Sequence, residues 1–356
     1  MRVRLLLVGI LWWLAVCRVS GQTTTPAFPV SPPPYTPLVY DIDWTYLEDP
    51  NADRDWTDQL HYVPLGRPEQ FLAITGQIRQ RGEYQDYPTW GAQPPHNAYF
   101  LQRYLLSGDL HLGAHFRTFV QLDSGLISGR DGGPRPGIDR DILDLNQAFL
   151  EFLLGDQRKK GFTFRLGRQL VSLGSTRLVA TGAGLNVEQP FDGGRCTVRA
   201  GLWTADLLAL RPTTIQTGLF DNRPNSSEAL WGFYATHPLR WVKAGNFDLY
   251  YLGFDHKSAR YTQGTGREQR ETLGARLWSH TATWDYDFEY TGQFGRFANG
   301  NIRAWGAGYH IAYTLSHRRF APRPELDGGF LSGDGNPHDK TLGTVGRRLK
   351  VPTDDI

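Results

Sequence analysis

Trp284-Asp285-Tyr286-Asp287-Phe288-Glu289-Tyr290-Thr291-Gly292-Gln293 alternates large aromatic with acidic or polar residues. Successive side chains of a strand point to opposite faces. Trp284, Tyr286, Phe288 and Tyr290 therefore share one face, and Asp285, Asp287, Glu289, Thr291 and Gln293 the other. A helix would smear both kinds of residue around its axis, so this stretch reads as a strand. The same period continues downstream, where Trp305, Ala307, Tyr309, Ile311 and Tyr313 oppose Ala304, Gly306, Gly308, His310 and Ala312. Upstream, Leu72, Ile74, Gly76 and Ile78 oppose Gln77, Arg79, Arg81 and Glu83, while Phe116, Thr118, Val120 and Leu122 oppose Arg117, Gln121 and Asp123.

Comparable segments lie near 71–83, 99–112, 114–123, 143–153, 161–170, 197–209, 228–236, 246–255, 270–280, 283–294, 302–314 and 324–332. Turn-rich stretches separate them, such as Gly129-Arg130-Asp131-Gly132-Gly133-Pro134 and Thr262-Gln263-Gly264-Thr265-Gly266. Many strands of ~10 residues with alternating short and longer connections predict an all-β fold, an antiparallel up-and-down barrel. A β-sandwich is the rival. A sandwich buries the apolar face and sends the charges to water, whereas a membrane barrel turns the apolar face to lipid and lines a wet lumen with the charges. Alternation alone does not choose between them. Trp and Tyr near strand ends (Tyr99, Trp203, Trp231, Tyr234, Trp278, Trp305) tilt the reading toward headgroup girdles and a transmembrane barrel.

Composition agrees. The chain has 356 residues with Gly 40, Pro 22, one Met and 13% aromatics. Gly and Pro interrupt helices, and so many aromatics exclude a mainly disordered chain. Beyond the first two dozen residues no run approaches the ~20 apolar positions of a spanning helix. Arg2 and Arg4, then an apolar core from Leu5 to Val16, then Val19-Ser20-Gly21 give the order of a secretory signal at 1–21, cut ahead of Gln22. Val16 is bulky where a lipoprotein box carries a small residue, which favours secretion over lipid anchoring. Of the 38 bases, Arg2, Arg4 and Arg18 lie in this leader, leaving 35 against 36 acids. A near-neutral chain gives no reason to expect a nucleic-acid partner. With the leader removed only Cys196 remains, so no internal disulfide is expected.

Residues 22–39, with Thr23-Thr24-Thr25 and Pro32-Pro33-Pro34, read as an extended linker. Residues 40–70 form an acidic, aromatic N-terminal cap. Its Asp41, Asp43, Glu48, Asp49, Asp53, Asp55 and Asp58 lack the ligand order and central Gly of a calcium loop, so a solvated cap is expected rather than a cation site. The barrel is placed at 71–344 and a divergent tail at 345–356.

Several motifs carry a resemblance. Asp43-Trp44 with Leu47, Gly76 with Arg79, Arg81 and Glu83, and Leu166-Gly167-Arg168-Gln169 with Gly174 and Arg177-Leu178-Val179 come first. Phe191-Asp192-Gly193, Leu273 to Trp278, Tyr286 to Glu289 with Gln293-Phe294-Gly295-Arg296, and Ser332 to Pro337 follow. In this order and spacing they resemble the alginate export family of bacterial outer-membrane barrels, over roughly residues 40 to 344. The resemblance implies passive passage of an anionic polysaccharide, an alginate-like polyuronate, through a lumen with an arginine-rich constriction. It also implies outer-membrane lipid around the wall and periplasmic delivery proteins as partners. Arginine suits such a path because it stays charged and its planar fork matches a carboxylate.

The inward faces supply Arg79, Arg81, Arg103, Arg117, Arg165 and Arg276, and the acids Glu83, Asp109, Asp123, Asp285, Asp287 and Glu289. Arg168, Arg177 and Arg195 stand near turns, from which they are expected to reach the lumen. Arg168 shares parity with Phe164 and Leu166, so a bulge or strand end must keep it out of lipid, where it would cost about 2–4 kcal/mol. Each arginine has two readings, a polymer contact or a brace paired with an acid across neighbouring strands. After Thr344 the chain leaves the family pattern, with Val345-Gly346-Arg347-Arg348-Leu349-Lys350 and no terminal aromatic, which reads as a truncated or frameshifted barrel.

No enzyme is expected. Ser332-Gly333-Asp334-Gly335 lacks the strand-to-helix setting of a nucleophile elbow, and Asp285, Asp287 and Glu289 share one strand face with Glu151 elsewhere, the pattern of a wetted wall. His111 and His115 are too far apart on a strand to chelate one ion, so no metal and no cofactor is expected. The function expected is an outer-membrane export channel. The alternatives are a general or anion-preferring porin on the same barrel, and a secreted carbohydrate-binding sandwich.

Overall fold

The computed structural model describes residues 36, 38–67, 69–87, 96–156, 160–316, 320–336 and 338–346. The leader, nearly all of the linker and the tail from 347 onward lie outside the described residues. Two single 3-10 turns, Val39–Asp41 and Trp44–Glu48, open the chain, and the short helix α1 (Asp58–His61) and β1 (Val63–Pro64) follow. The wall begins with β2 (Gln70–Asp86), β3 (His96–Leu112), β4 (Phe116–Ser128), β5 (Asp141–Asp156), β6 (Lys160–Leu170), β7 (Pro190–Ala200) and β8 (Trp203–Thr214). After the two-residue β9 (Arg223–Pro224) it continues with β10 (Glu228–Leu239), β11 (Gly245–Tyr261), β12 (Gly264–His280), β13 (Trp284–Phe297), β14 (Gly300–Tyr313), β15 (Glu325–Leu331) and β16 (Thr341–Leu342).

All belong to one 16-stranded sheet in which each long strand is antiparallel to the next, an up-and-down order. β16 instead pairs in parallel with the start of β14. Among the described residues no ladder joins β15 or β16 to β1 or β2, so the curled sheet is not closed. β2, β3, β11 and β12 run 17 residues each. A tilted strand needs only about 10 residues to cross a bilayer, so these strands project well beyond the membrane.

Burial decides which face is which. On β13, Trp284, Phe288 and Tyr290 are 53%, 42% and 56% exposed, whereas Asp287, Glu289 and Thr291 are 8%, 7% and 7% exposed. A sandwich would give the reverse. Ile78, Leu106, Leu150, Phe152, Phe164 and Leu166 are exposed on the same outer face, while Arg103, Asp109, Asp123, Glu151 and Arg165 are buried inside. The outer wall is the apolar surface a bilayer accepts, and the charges line the interior.

Three readings need correction. The segment expected at 197–209 is two strands: β7 ends at Ala200, Gly201 turns the chain with φ +62°, and β8 starts at Trp203. The sequence 192–197, Asp-Gly-Gly-Arg-Cys-Thr, has no apolar face to betray a strand. Among the expected girdle residues, Trp203 and Trp305 are exposed on the outside, but Tyr99, Tyr234 and Trp278 point inward. Tyr234 Oη and Trp278 Nε1 both donate to Asp248 Oδ2, at 2.7 and 2.8 Å. An aromatic with a polar tip is as much at home against an inner-wall carboxylate as at a headgroup. The N-terminal segment, expected as a solvated cap, buries Tyr40, Ile42, Trp44 and Leu47.

One glycine is indispensable to the wall. Gly167 has φ +134°, and a Cβ there would lie 2.2 Å from Ala148 O and 2.8 Å from Phe149 Cα on β5. Gly167→Ala is expected to destabilise the barrel by about 2 kcal/mol or more, read as a lower temperature for the heat-modified shift in gel mobility. An unchanged transition temperature would contradict this.

Candidate functional site in the lumen

One mouth carries the long connections 129–140, 171–189 and 215–227 together with the two-residue turns 262–263 and 298–299, whereas the other has 113–115, 201–202, 240–244 and 281–283 with 314–324 as its one long connection among the described residues. Outer-membrane barrels keep short turns toward the periplasm and long loops outside. The N-terminal segment therefore enters at the periplasmic mouth, and the 171–189 loop belongs to the external one.

That loop folds inward. Val171, Leu173 and Val179 pack with Leu208, Leu210, Leu230, Tyr234, Tyr250 and Leu252, the apolar inner face of β8, β10 and β11. Burying this surface draws the loop into the barrel. Charge fixes its two sides. Arg79 Nη1 donates to Ala183 O at 2.9 Å and Nη2 to Leu185 O, while Arg81 Nη1 donates to Gly184 O at 2.7 Å. Arg103 Nη1 reaches Ala183 O at 3.1 Å and Leu185 O at 3.3 Å. On the other side Arg177 Nη1 donates to Glu289 Oε2 at 2.9 Å, Ser175 bonds the same oxygen, and Tyr250 Oη donates to Glu289 Oε1 at 2.8 Å. A single loop thus ties β2 and β3 to β13, and the sheet curls around it.

The arginines at 79, 81 and 103 hold carbonyls rather than only acids. Arg81 pairs with Glu83 at 2.6 Å and Arg103 with Glu188 at 3.4 Å, but Arg79 has no carboxylate within ion-pair distance among the described residues. This corner of the lumen stays electropositive.

A second set surrounds a chamber of about 590 Å³ at the periplasmic end, lined by Arg117, Arg165, Arg195 and Arg199 with Glu151, Asp206 and Asp41. Arg117 forks onto Asp109 at 2.8 and 2.7 Å and reaches Glu151 at 3.1 Å. Arg165 Nε donates to Glu151 at 2.7 Å, and Arg195 grips Asp206 at 2.9 and 2.8 Å. Arg199, on the same face of β7, makes no side-chain hydrogen bond or ion pair among the described residues. The sequence reading missed it although it shares the parity of Arg195, because β7 was merged with β8.

Tyr40 enters this chamber. Its ring meets Phe119 and Phe149 edge-on, with centroids at 6.0 and 5.5 Å. The Arg165 guanidinium lies 4.0 Å from the ring centroid. Its hydroxyl donates to Leu170 O at 2.8 Å, and its carbonyl accepts from Arg117 Nη2. Although the Asp41 side chain opens onto the cavity, the enclosing walls shield it from bulk water, and this desolvation pushes its carboxyl above the ordinary range, against the pull of Arg165, Arg195 and Arg117.

The remaining residues serve the wall. Arg276 donates to Asp287 at 3.0 and 2.7 Å and to Asp248 at 3.2 Å. Asp123 is buried on the inner face of β4, opposite Asp144. Asp285 sits at the periplasmic rim, bonded by Arg323 at 2.9 Å and His280 at 2.6 Å. Arg168 and Arg195 stand on strands rather than loops. Arg168 lies near the end of β6, where Asp192 at 2.9 Å, Leu145 O at 3.1 Å and Asn222 O at 3.2 Å hold its guanidinium. The bulge of β5 beside Leu145 and the 215–227 connection, which supplies Asn222 O, thus hold this charge near the end of β6 and away from lipid.

A family model described as alginate export matches residues 70–347. A search of curated proteins finds no match. Among solved structures, the chain is similar to OccAB1 of Acinetobacter baumannii, with 10% identity, TM-score 0.40, and 74% of this chain and 79% of that one covered. It is also similar to OpdQ of Pseudomonas aeruginosa, with 14% identity, TM-score 0.38, and coverage of 72% and 81%. A mutant porin of Rh. blastica gives 11% identity, TM-score 0.27, and coverage of 72% and 98%.

Proposed function

Since the chain belongs to the alginate export family and is an outer-membrane channel protein, we propose that it carries an anionic polysaccharide, an alginate-like polyuronate, passively from the periplasm outward. The observation that carries this reading is the succession of arginines along the lumen: Arg199, Arg195, Arg165 and Arg117 around the periplasmic chamber, then Arg79, Arg81 and Arg103 at the inward loop. A polymer with one carboxylate per sugar needs successive cationic contacts, each weak enough to release it to the next. Guanidinium meets that need because it is weakly hydrated and cannot lose its proton. No covalent chemistry is required of the wall. Periplasmic delivery proteins at the mouth holding the N-terminal segment belong to the same reading.

A second reading, a general or anion-preferring porin on the same barrel, is favoured by the acids Asp109, Glu151 and Asp206, which neutralise much of the chamber and leave only a modest net positive charge to select with. Single-channel currents separate the two. Oligouronates added from the periplasmic side are expected to interrupt the current, with neutral oligosaccharides of equal length passing unnoticed. Chloride preference without block at any length would leave only the porin. Within the export reading, Arg199→Ala is expected to weaken the block by about tenfold, the loss of about 1.4 kcal/mol of binding. An undiminished block would remove Arg199 from the polymer's path.

A further inference from the structure

We propose that Leu38–Asp41 is a displaceable plug tip that stands in for the polymer, holding the Asp41 carboxylate among the chamber's arginines until a polyuronate takes its place. This rests on the export reading above.

The tip lies where an incoming polymer must pass, within the chamber of Arg117, Arg165, Arg195 and Arg199. It carries what the polymer carries, a carboxylate beside a ring-shaped body. Asp41 is exposed to the chamber, and its carboxylate makes no hydrogen bond or ion pair among the described residues. Arg117, Arg165 and Arg195 are already engaged by Asp109, Glu151 and Asp206. Asp41 is thus attracted to the cluster without being locked into it, the condition for exchange with a competing anion.

Apart from the Tyr40 carbonyl under Arg117, the backbone is lightly held: hydrogen bonds of the 3-10 turn are internal, Asp41 N to Leu38 O and Ile42 N to Val39 O, and among the described residues the first ladder to the wall comes at β1. What retains the tip is Tyr40: its ring against Phe119, Phe149 and Arg165, its hydroxyl on Leu170 O, and its carbonyl under Arg117. Immediately after it, Ile42, Trp44 and Leu47 pack on Phe71 and Ala73, and Trp44 stacks on His61 at 4.0 Å. That cluster anchors the segment at the periplasmic mouth, so the tip can swing out without the chain leaving the barrel. A ligand shifts such an equilibrium by the difference in its affinity for the two states, and the polymer binds only the unplugged one.

The test uses the full chain with Cys196→Ser and Val39→Cys, reconstituted and labelled from the periplasmic side with a charged thiol reagent. Defined oligouronates are expected to raise the labelling rate about tenfold, and neutral oligosaccharides to leave it unchanged. Tyr40→Ala is expected to raise conductance several-fold without oligouronate, with Tyr40→Phe intermediate; heat-modifiable mobility confirms that each variant folds. If oligouronates block the current but leave labelling unmoved, and Tyr40→Ala conducts like the parent, the plug is overturned and the export reading stands. If nothing blocks the current yet Tyr40→Ala opens it, the segment is a plug but not a polymer mimic, and both the mimicry and the export reading fail.

Discussion

Replacing Arg79 and Arg103 together by alanine is expected to widen the channel, raising single-channel conductance several-fold while the barrel stays folded. The reason is the loop at 171–189. Its Ala183-Gly184-Leu185 carbonyls are held at the β2–β3 wall by these two side chains and Arg81. A hydrogen bond from a charged donor contributes about 1.5–3 kcal/mol, so removing two such clamps frees the carbonyls of Ala183 and Leu185, while Arg81 on Gly184 O and the Asn186 amide, which donates to Gln102 O, Leu126 O and Asp139 O, still hold the end of this stretch. The apolar side of the loop, packed under Leu208, Leu230 and Leu252, keeps it attached but no longer drawn across the lumen. Arg79→Lys alone is expected to open the channel much less, because Arg81 and Arg103 keep their carbonyls and only the Arg79 fork is lost. Unchanged conductance with lowered anion preference would mean that these arginines face the permeating ion and do not hold the loop.

The second large effect is expected at Glu151, 2% exposed and shared by Arg117 and Arg165. Glu151→Ala leaves the buried Arg165 guanidinium without its carboxylate partner and Arg117 with Asp109 alone. Breaking a buried pair costs about 3–5 kcal/mol, and the wetted chamber places this one at the lower end. A lower unfolding midpoint in denaturant is therefore expected. The same change adds positive potential to the chamber, so anion preference and oligouronate block should both increase. Loss of stability with no change in selectivity would assign Arg117 and Arg165 to bracing alone.

Much of this was legible in the sequence, and the exceptions have physical causes. The alternation of Trp284 to Gln293 marked a strand with two chemically opposite faces, and the structure keeps that partition. It could not say which face meets lipid, since a sandwich and a membrane barrel share the period. Arg79, Arg81 and Arg103 were legible as inward, but not their carbonyl partners, because an inward-folded loop leaves no periodic trace. β7 was hidden by its adjacent glycines, and Arg199 with it. The N-terminal segment was misread as solvated because 3-10 turns carry no period, and because the residues that bury Tyr40 (Phe119, Phe149 and Leu170) come from strands far away in sequence.

The central claim, that this barrel passes an anionic polymer without energy input, is most directly tested by release from loaded vesicles. Liposomes containing a fluorescent polyuronate and a neutral dextran of equal size receive the purified protein, with no nucleotide and no membrane potential. The account predicts loss of the polyuronate at a rate that rises with protein and falls in Arg199→Ala, with the dextran retained. Retention of both polymers, or their equal escape, would contradict it.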